Sequence, residues 1–521
     1  MSIRSPYNDV EIPDVSLPSF VLQGAAERPD KPALIDGPTG RTLTYGQLAA
    51  GVQRVAAGLH ERGFRKGDVF AIFAPNLPEY ALAFHGVAST GGICTTINPL
   101  YTVEELTFQL KDSGAKYLLT IPQFLDRAKE AADNAGVEEV FVLGEAEGAT
   151  PFAELLASTG EAPEVEIDPH DDLVVLPYSS GTTGLPKGVM LTHHNIVANI
   201  CQSLEPHATS ERDVIIGVLP FFHIYGMTVI MSVALHLGAT VVTMPRFDLE
   251  EFLTLLQDRK VTRAYLVPPI ILALAKHPLV DKYDLGKLEV IMSGAAPLSG
   301  DLASAASARL GAVVMQGYGL TETSPVTHMM PDEPGRDRPG SIGFLIPKTE
   351  GRFVSVETGE DVPTGERGEL WIRGPQVMKG YLNNDEATRH TIDDEGWLHT
   401  GDIGYIDEDG YFFLVDRLKE LIKYKGFQVP PAELEAILLS HPSIADAAVI
   451  PVPDEEAGEI PKAYVVLSGE IGEADIMSYV AERVAPHKKI RLVEITDEIP
   501  KSASGKILRR VLVDRERAKL S

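Results

Sequence analysis

Cysteine is scarce in this sequence, with Cys94 and Cys201 as the two cysteines among 521 residues. Two cysteines cannot build a disulfide framework or a cysteine-rich metal site. The sequence also lacks any run near the roughly 20 apolar residues that a membrane-spanning helix requires. Residues 1–14 contain no apolar stretch of the kind that directs secretion. We therefore expect no membrane span, and a reducing cytoplasm is the expected location.

Positive charge is also in deficit, since 46 Lys and Arg residues face 74 Asp and Glu residues and the formal net charge is −28. A general nucleic-acid binder needs a basic face, so this deficit argues against nucleic acid as a partner. Two local basic clusters nevertheless exist, and each could attract a small anion or simply be a solvated surface. They consist of Arg417, Lys419, Lys423 and Lys425, and of Lys501, Lys506, Arg509 and Arg510.

The order of predicted elements indicates the fold class. Capping-box patterns at Thr44 and Thr102 predict the starts of two helices, and Gly63 and Gly114 stand where these helices should end. Helices alternate with short β-prone runs, which favours largely parallel, helix-covered sheets. The predicted strands include 69–73, 116–120, 139–143, 173–177, 288–293 and 313–317. From about Gly340 short strands and turns predict a small β-rich subdomain.

The chain is too long for one ordinary hydrophobic core, so two or more domains are expected. A strand over 411–415 is followed by about a hundred residues of α+β character, and Pro430-Pro431 precedes a helix predicted over 432–440. We therefore predict an α/β fold with a domain boundary after residue 416. Residues 1–416 would hold two βαβ-type sheets and the β-rich subdomain, and residues 417–521 would form a small α+β domain.

The strongest local motif is the segment 176–188, LPYSSGTTGLPKG, which follows a predicted apolar strand. Glycines let backbone amides approach an anion, hydroxyls add donors, and Lys187 adds charge, so the segment predicts a phosphate cradle. It differs from the loop of nucleoside triphosphatases because Gly188 rather than Ser or Thr follows the lysine. The composition alone would equally suit a flexible surface loop.

Three weaker motifs follow. The segment 316–323, QGYGLTET, offers Tyr318 for stacking and Glu322 as an oxygen ligand for a hard cation. The segment 396–402, GWLHTGD, offers Asp402 for ribose hydroxyls, and 500–506, PKSASGK, places Lys506 on a turn of small residues. Each motif taken alone is also typical of an ordinary turn or helix cap.

Together, the order and spacing of these motifs resemble the adenylate-forming superfamily of acyl-CoA synthetases, 4-coumarate–CoA ligases and beetle luciferases. The resemblance extends from the helix after Thr44 to Lys506 and is strongest to the coumarate ligase branch. Further matching segments are 219–225, LPFFHIY; 267–269, VPP; 293–298, SGAAPL; and 416–426, DRLKELIKYKG.

The resemblance implies an ATP-dependent acid–CoA ligase that uses ATP, Mg²⁺ and coenzyme A. It assigns Glu322 to Mg²⁺ and Thr321 to the α-phosphate, and it makes Lys506 the group that bridges the acid carboxylate and that phosphate. His223 would stand between the acyl and thiol channels, although a buried core histidine is the alternative. The remaining nucleotide-binding positions implied are Ser179, Thr182, Thr183, Lys187, Gly294, Ala295, Gln316, Gly317, Tyr318, Gly319, Asp402 and Arg417.

The second half-reaction would use other groups. In the family the C-terminal domain is mobile and swings about a hinge, matched here by Lys419. This motion withdraws Lys506 and brings in the segment with Lys423, Lys425 and Gly426, which accommodates the pantetheine arm. His193 and His194 are expected to be residues of a helix start, because the sequence indicates no further ligands for a metal beside them.

The family's acyl pocket would be lined by Ile224, Tyr225, Thr228, Met292, Gly294, Gly317, Gly319, Val326 and Thr327. Glycines in the walls predict a flat slot. Plant coumarate ligases commonly carry lysine where this chain has Met292, and methionine cannot donate a hydrogen bond to a phenol. The acid could therefore be a hydroxycinnamate, cinnamate, another aryl acid or a medium- or long-chain fatty acid. The alternative classes are an enzyme that loads a carrier protein, a luciferase and a non-catalytic nucleotide-binding protein.

Overall fold

The structure is a computed structural model, and it describes residues 2–179, 186–206, 208–331, 338–425, 427–454, 456–502 and 505–520. Within these ranges the strands form four sheets. Two large sheets and one smaller sheet come from the first four-fifths of the chain, and the fourth comes from the remainder. None of the helices in these ranges combines the length and apolar character required to span a bilayer.

The first large sheet has eight strands and carries the predicted phosphate cradle at one side. It is parallel from the strand Leu173–Ser179 outward and ends in two antiparallel strands on the other side. In spatial order the strands are Gly380–Tyr381, Lys187–Thr192, Leu173–Ser179, Ile93–Thr96, Val69–Ile72, Ala115–Thr120, Glu139–Val142 and Thr150–Pro151. The helices along the same part of the chain are Leu17–Leu22, Tyr45–Glu61, Pro78–Ser89, Val103–Ser113, Leu125–Ala135, Ala153–Leu156 and His193–Leu204.

The second large sheet has nine strands, and its central strands are parallel. In spatial order they are Phe344–Leu345, Val326–Met329, Val313–Gly319, Val290–Ser293, Arg263–Leu266, Val214–Gly217, Thr240–Thr243, Pro32–Asp36 and Thr42–Thr44. Its helices are Val233–Leu237, Leu249–Asp258, Pro268–Lys276 and Gly300–Leu310, and a π-helix covers Tyr225–Ser232. One apolar core joins the two large sheets.

The predicted β-rich subdomain is present as an antiparallel five-stranded sheet. Its strands are Ile3–Arg4, Glu350–Val354, Gly368–Arg373, Leu398–Ile406 and Phe412–Arg417, and the helix Asp385–Thr391 lies in the same part of the chain. The last of these strands contains both Asp416 and Arg417. The expected domain division after residue 416 stays a prediction.

The C-terminal part has its own sheet and its own apolar core. In spatial order the strands are Phe427–Val429, Ile422–Tyr424, Gly458–Leu467 and Ile444–Asp454, with Leu492–Ile495 paired parallel to Gly458–Leu467. The helices Pro431–Ser440, Glu473–Ala481 and Arg509–Leu520 complete this α+β unit. The expected α/β class, with a large N-terminal and a small C-terminal part, is therefore confirmed.

Local sequence signals account for many of the observed bounds. Thr44 and Thr102 each form the predicted capping box, and the two helices begin at the next residue. Gly114 ends the second helix in the left-handed conformation with φ of 66°, where glycine carries no Cβ penalty. The predicted strands are all present, and their observed ends lie within two residues of the predicted ones. These agreements arise because caps and period-2 patterns act within a few residues.

Candidate active site

Two residues of the phosphate motif lie on neighbouring strands of the first sheet. Lys187 pairs with Ser179 across the antiparallel ladder, at the facing ends of the strands Leu173–Ser179 and Lys187–Thr192. A lysine and a hydroxyl are thereby placed side by side at the mouth of the predicted cradle. Thr182 and Thr183, predicted to contact phosphates, lie outside the described residues.

Tyr381 contacts both Lys187 and Glu322. The Lys187 Nζ lies 4.9 Å from the centroid of the Tyr381 ring, and the Tyr381 hydroxyl donates a 2.8 Å hydrogen bond to Oε1 of Glu322. Glu322 is buried, and a buried carboxylate needs such a donor. Burial, and next the Glu322 carboxylate, raise the pKa of Tyr381, so its hydroxyl remains a donor at neutral pH.

Sequence reasoning missed Tyr381. Its strand, Gly380–Tyr381, pairs with Val189 and Met190 of the strand Lys187–Thr192. Almost two hundred residues separate these two strands along the chain. No motif surrounds Tyr381, and the available signal was a lone aromatic residue after a glycine. The sheet pairing, rather than any local pattern, brings this ring between the lysine and the carboxylate.

Asp402 forms the centre of a second polar group. The Tyr318 hydroxyl donates to Asp402 Oδ2 over 2.5 Å, and Arg417 Nε lies 3.3 Å from Asp402 Oδ1. Burial raises the pKa of Asp402, and the positive charge of Arg417 opposes that rise. Three predicted nucleotide-binding residues, Tyr318, Asp402 and Arg417, therefore form one polar group, although they come from three separate motifs.

Lys506 reaches this group from the C-terminal part. Two hydrogen bonds join it to Ser502: the Ser502 amide donates to the Lys506 carbonyl over 2.8 Å, and Ser502 Oγ accepts from the Lys506 amide over 3.1 Å. Gly505 has φ of 77°, and a Cβ there would lie 3.0 Å from Val267 of the N-terminal part. Glycine thus lets the turn approach closely enough for Lys506 to enter the site.

The electrostatic surroundings of Lys506 include charged groups from both polar groups of the site. Burial, followed by the nearby Arg417 charge, lowers the pKa of Lys506 to about 8. The carboxylates of Glu420, Asp402 and Glu322 act in the opposite direction. The far C-terminal lysine therefore shares one electrostatic environment with the residues of the two preceding polar groups.

His223 lies next to this cluster and has a defined tautomer. Its Nδ1 accepts a 3.2 Å hydrogen bond from the Tyr225 amide, which leaves the proton of the neutral ring on Nε2. Burial, and then the charge of Lys506, lower the pKa of His223 to about 4, so the ring is neutral at pH 7. His223 is not enclosed in the core, because it lines a cavity. The other residues around that cavity are Thr96, Asn98, Tyr101, Gln109, Pro177, Tyr178, Phe222, Ile224 and Thr321.

The residues predicted to line an acyl pocket come together around Tyr225 and Met292. The Tyr225 hydroxyl donates to the Met292 carbonyl over 3.3 Å. A Cβ at Gly294 would lie 2.7 Å from the Tyr225 ring, and one at Gly317 would lie 3.5 Å from the Met292 sulfur. The absence of a side chain at Gly294 therefore lets the Tyr225 ring pack directly against the backbone, and the Met292 sulfur lies beside the backbone at Gly317. Gly319, Val326, Thr327, Ile224 and Thr228 lie on the adjoining segments.

The segment after the strand Val290–Ser293 is held in an unusual conformation. Ala295 is exposed and has φ of 66°, a left-handed conformation that is uncommon for residues other than glycine. Nearby, the Gln316 side chain is buried and its Oε1 accepts from the Leu298 amide over 3.1 Å. Such strain is often found at ligand sites, because the surroundings must hold the backbone in place.

The predicted coenzyme A residues are not part of this cluster. Lys419, Lys423 and Lys425 are all exposed, and Lys425 Nζ pairs with Glu456 of the C-terminal part at 2.5 Å. Gly426 lies outside the described residues. In this arrangement Lys506, rather than the 423–425 segment, faces the N-terminal site.

A hard cation fits the carboxylate of Glu322. Mg²⁺ in nucleotide enzymes is commonly held by one or two carboxylates together with substrate phosphate oxygens. Glu322 is the second residue of the 3₁₀ turn Thr321–Thr323, and its Oε1 is oriented by Tyr381. Tyr381 contacts both the Glu322 carboxylate and Lys187 of the phosphate cradle. A metal ion at Glu322 would therefore lie near the phosphates of a bound nucleotide.

Comparison with known proteins identifies two family models in the chain. The model described as AMP-binding enzyme matches residues 22–382, and the model described as AMP-binding enzyme C-terminal domain matches residues 433–506. The 4-coumarate–CoA ligase 2 of Petroselinum crispum is 46% identical, with 98% of this chain and 96% of that protein covered. The 4-coumarate–CoA ligase of Pinus taeda is 45% identical, with 99% and 98% covered.

Two solved structures are similar over nearly the whole chain. The anthranilate CoA ligase AuaEII in complex with anthranoyl-AMP has a TM-score of 0.90 at 28% identity, with 97% of this chain and 98% of that chain covered. ATP-bound MatB from Rhodopseudomonas palustris has a TM-score of 0.89 at 30% identity, with 98% and 100% covered.

Proposed function

This chain belongs to the AMP-binding enzyme family and is an ATP-dependent, AMP-forming acid–CoA ligase, and we propose that its acid is an aryl or cinnamic acid of the 4-coumarate type. The observation that carries the proposal is the 45–46% identity over nearly the whole chain to relatives named 4-coumarate–CoA ligases. The Tyr225 ring and the Met292 side chain, which lie against the backbone at Gly294 and Gly317, are aromatic and apolar groups suited to contact an aryl ring. The relatives named as 4-coumarate–CoA ligases support the same substrate class.

In the first half-reaction the acid carboxylate attacks the α-phosphorus of ATP, and pyrophosphate leaves. We propose that Ser179 and Lys187 hold the outgoing phosphates, since both stand at the mouth of the cradle. Lys506 would place its ammonium between the carboxylate and the α-phosphate, where negative charge builds in the transition state. Thr321 would donate to the same phosphate, because it lines the cavity beside His223.

The nucleoside would be bound by the second polar group. Asp402 can accept from ribose hydroxyls once ATP displaces the Tyr318 hydroxyl, and Arg417 stays beside it as a cation. Tyr318 and the backbone at Gly294 and Ala295 would then contact the two faces of adenine. Bound at Glu322, Mg²⁺ would neutralise charge on the phosphates and so favour their departure.

In the second half-reaction the coenzyme A thiol attacks the acyl carbonyl of the adenylate, and AMP leaves. Lys506 lies near Asp402, Arg417 and Glu322, which supports an arrangement suited to adenylation, whereas Lys423 and Lys425 are exposed on the C-terminal part. We propose that residues 417–521 rotate about Lys419 between the two steps. Neutral His223, with its proton on Nε2, would mark the passage between the acid and thiol sides of the site.

The side chain of Met292 bears on which acid is preferred. Met292 is buried and lies in register between Tyr265 and Met315 on the neighbouring strands. Its side chain gives an apolar contact to the distal end of a substrate and no donor for a phenol. We therefore propose that cinnamate and 4-coumarate are used with similar efficiency. A fatty acid would need the same slot to accommodate a flexible chain.

Pyrophosphate release measured with a panel of acids tests this function. The panel contains 4-coumarate, cinnamate, benzoate, anthranilate and octanoate, and each acid is assayed with ATP and Mg²⁺, with and without coenzyme A. We expect sustained release with the cinnamic acids when coenzyme A is present and at most a single turnover without it. Preferential use of octanoate would overturn the aryl substrate. Adenylate formation that coenzyme A never accelerates would indicate a carrier protein as the acceptor.

The cellular location is a separate point. Both cysteines are buried and free, which is compatible with a reducing compartment. We propose the cytoplasm, and fractionation of the source cells followed by immunodetection of the chain tests that location.

A further inference from the structure

Three potential metal ligands meet on the surface at the end of the first sheet opposite the candidate active site. They are Asp14, His170 and His194, and their ligand atoms all lie within 4.8 Å of one another. Sequence reasoning expected His194 to lack further ligands, but the fold brings two to it from segments 24 and 180 residues away. We propose that these three residues form a binding site for Zn²⁺ or a similar borderline divalent cation.

The spacing of the ligand atoms fits a small cation. The His170 Nε2 lies 2.8 Å from Asp14 Oδ1, and the His194 Nδ1 lies 3.9 Å from the same oxygen. Ligand atoms around tetrahedral zinc, with bonds of about 2.1 Å, stand roughly 3.4 Å apart. The two distances bracket that value, and an ion would replace the hydrogen bond that now joins His170 Nε2 to Asp14 Oδ1 after rotation of these side chains. Two imidazoles and one carboxylate are ligands that zinc accepts, and the fourth position would be left to water.

The two histidines are held together by the backbone. The His194 amide donates to the Pro169 carbonyl over 2.7 Å, and the His170 amide donates to Asp168 Oδ1 over 3.0 Å. The two imidazole rings lie almost parallel, with their centroids 3.9 Å apart. The separation of the histidine backbones is therefore set before any ion binds, which lowers the ordering cost of binding.

One ring nitrogen in the cluster is available for a ligand bond. His194 Nδ1 is shielded from solvent and has no hydrogen-bond partner in the described part of the chain. Lys66 pairs with Asp172 and Lys379 pairs with Asp171, so these two lysines add no unpaired positive charge beside His170.

The position of the cluster indicates a stabilising role. It joins the N-terminal segment, the turn before the strand Leu173–Ser179, and the start of the helix His193–Leu204. One neighbouring contact already anchors the same segment, since the Leu17 amide donates to His193 Nδ1 over 3.0 Å. A bound ion would add a second anchor at Asp14. Because the strand Lys187–Thr192 runs between His194 and Lys187, the ion would lie roughly 20 Å from the phosphate cradle.

Titration of the full-length chain with Co²⁺ or Zn²⁺ tests the inference. The protein is first treated with a chelator and freed of it, and no nucleotide is added. We expect one ion per chain with an affinity of roughly micromolar, and visible Co²⁺ absorption of four-coordinate type. Thermal unfolding should shift to higher temperature with Zn²⁺.

Matched variants decide where the ion binds. His170→Ala and His194→Ala should each weaken binding at least about tenfold and remove the thermal shift. His390→Ala, which removes an exposed histidine outside this cluster, should leave the ion affinity and the thermal shift unchanged. Circular dichroism of each variant establishes that it is folded. The proposal would be overturned if the unmodified chain did not bind Co²⁺ at about 100 μM. It would also be overturned if His170→Ala and His194→Ala bound the ion as tightly as the unmodified chain does.

Discussion

Tyr381 donates a 2.8 Å hydrogen bond to Oε1 of the buried Glu322, and the Nζ of Lys187 lies 4.9 Å from the centroid of the same tyrosine ring. The tyrosine therefore orients a carboxylate that we propose as the Mg²⁺ ligand, and it also contacts the lysine of the phosphate cradle. Phenylalanine at this position would keep the ring beside Lys187 and lose the hydroxyl that donates to Glu322.

The first prediction concerns this hydroxyl. Tyr381→Phe leaves the Glu322 carboxylate without its donor, and hydrogen bonds to charged groups contribute about 1.5–3 kcal/mol. We expect kcat/KM for ATP–Mg²⁺ to fall roughly tenfold or more, with the Mg²⁺ concentration required for half-maximal rate increased. Tyr405→Phe serves as the control, because Tyr405 stacks on Phe413. Unchanged Mg²⁺ dependence in Tyr381→Phe would contradict the positioning role.

The second prediction separates the two half-reactions. Lys506→Ala removes the ammonium that enters the Asp402–Arg417 group, and loss of a transition-state charge contact costs about 10²–10³ in rate. We expect adenylation, measured by pyrophosphate exchange, to fall by that factor. Transfer to coenzyme A from a supplied acyl adenylate should keep most of its rate. Comparable loss in both assays would mean that Lys506 serves the folded structure rather than the adenylation step.

The third prediction concerns pH. The pKa of Lys506 is lowered to about 8, so the ammonium is present below pH 8 and is lost as the pH rises above it. If adenylation needs the charged form, kcat/KM for pyrophosphate exchange should decline above about pH 8, because this ratio reports the free enzyme. Lys506→Arg should lack this decline, since a guanidinium stays charged throughout the range. A decline of equal midpoint in both proteins would assign it to another group.

The fourth prediction concerns the acid. Met292→Lys introduces a donor at the end of the proposed acyl slot, and one hydrogen bond changes a rate ratio roughly tenfold. We expect the ratio of kcat/KM for 4-coumarate over cinnamate to rise accordingly. Met292→Leu, which keeps volume and polarity, should leave the ratio near that of the unmodified chain. The thermal unfolding of Met292→Lys has to be checked, because Met292 is buried. A folded variant with an unaltered ratio would exclude Met292 from the slot.

Much of the site could be predicted from sequence because its residues lie in short motifs. Lys187, Glu322, Asp402 and Lys506 each belong to a short sequence motif, and the structure places the last three within one electrostatic environment. The motifs could not reveal Tyr381, because no local pattern marks it. They also could not show that Lys506 rather than Lys423 faces the N-terminal part, since that depends on how two units pack.

The sequence by itself determined the helices with their caps, the alternation that leads to parallel sheets, and the family to which the chain belongs. These properties depend on hydrogen bonds and side-chain periodicity within a few residues, and family motifs are read directly along the chain. Tertiary structure alone decided the Tyr381–Glu322 bond, the neutral state of His223 and the meeting of Asp14, His170 and His194. Burial and long-range contacts determine these features, and they arise only when distant segments pack together.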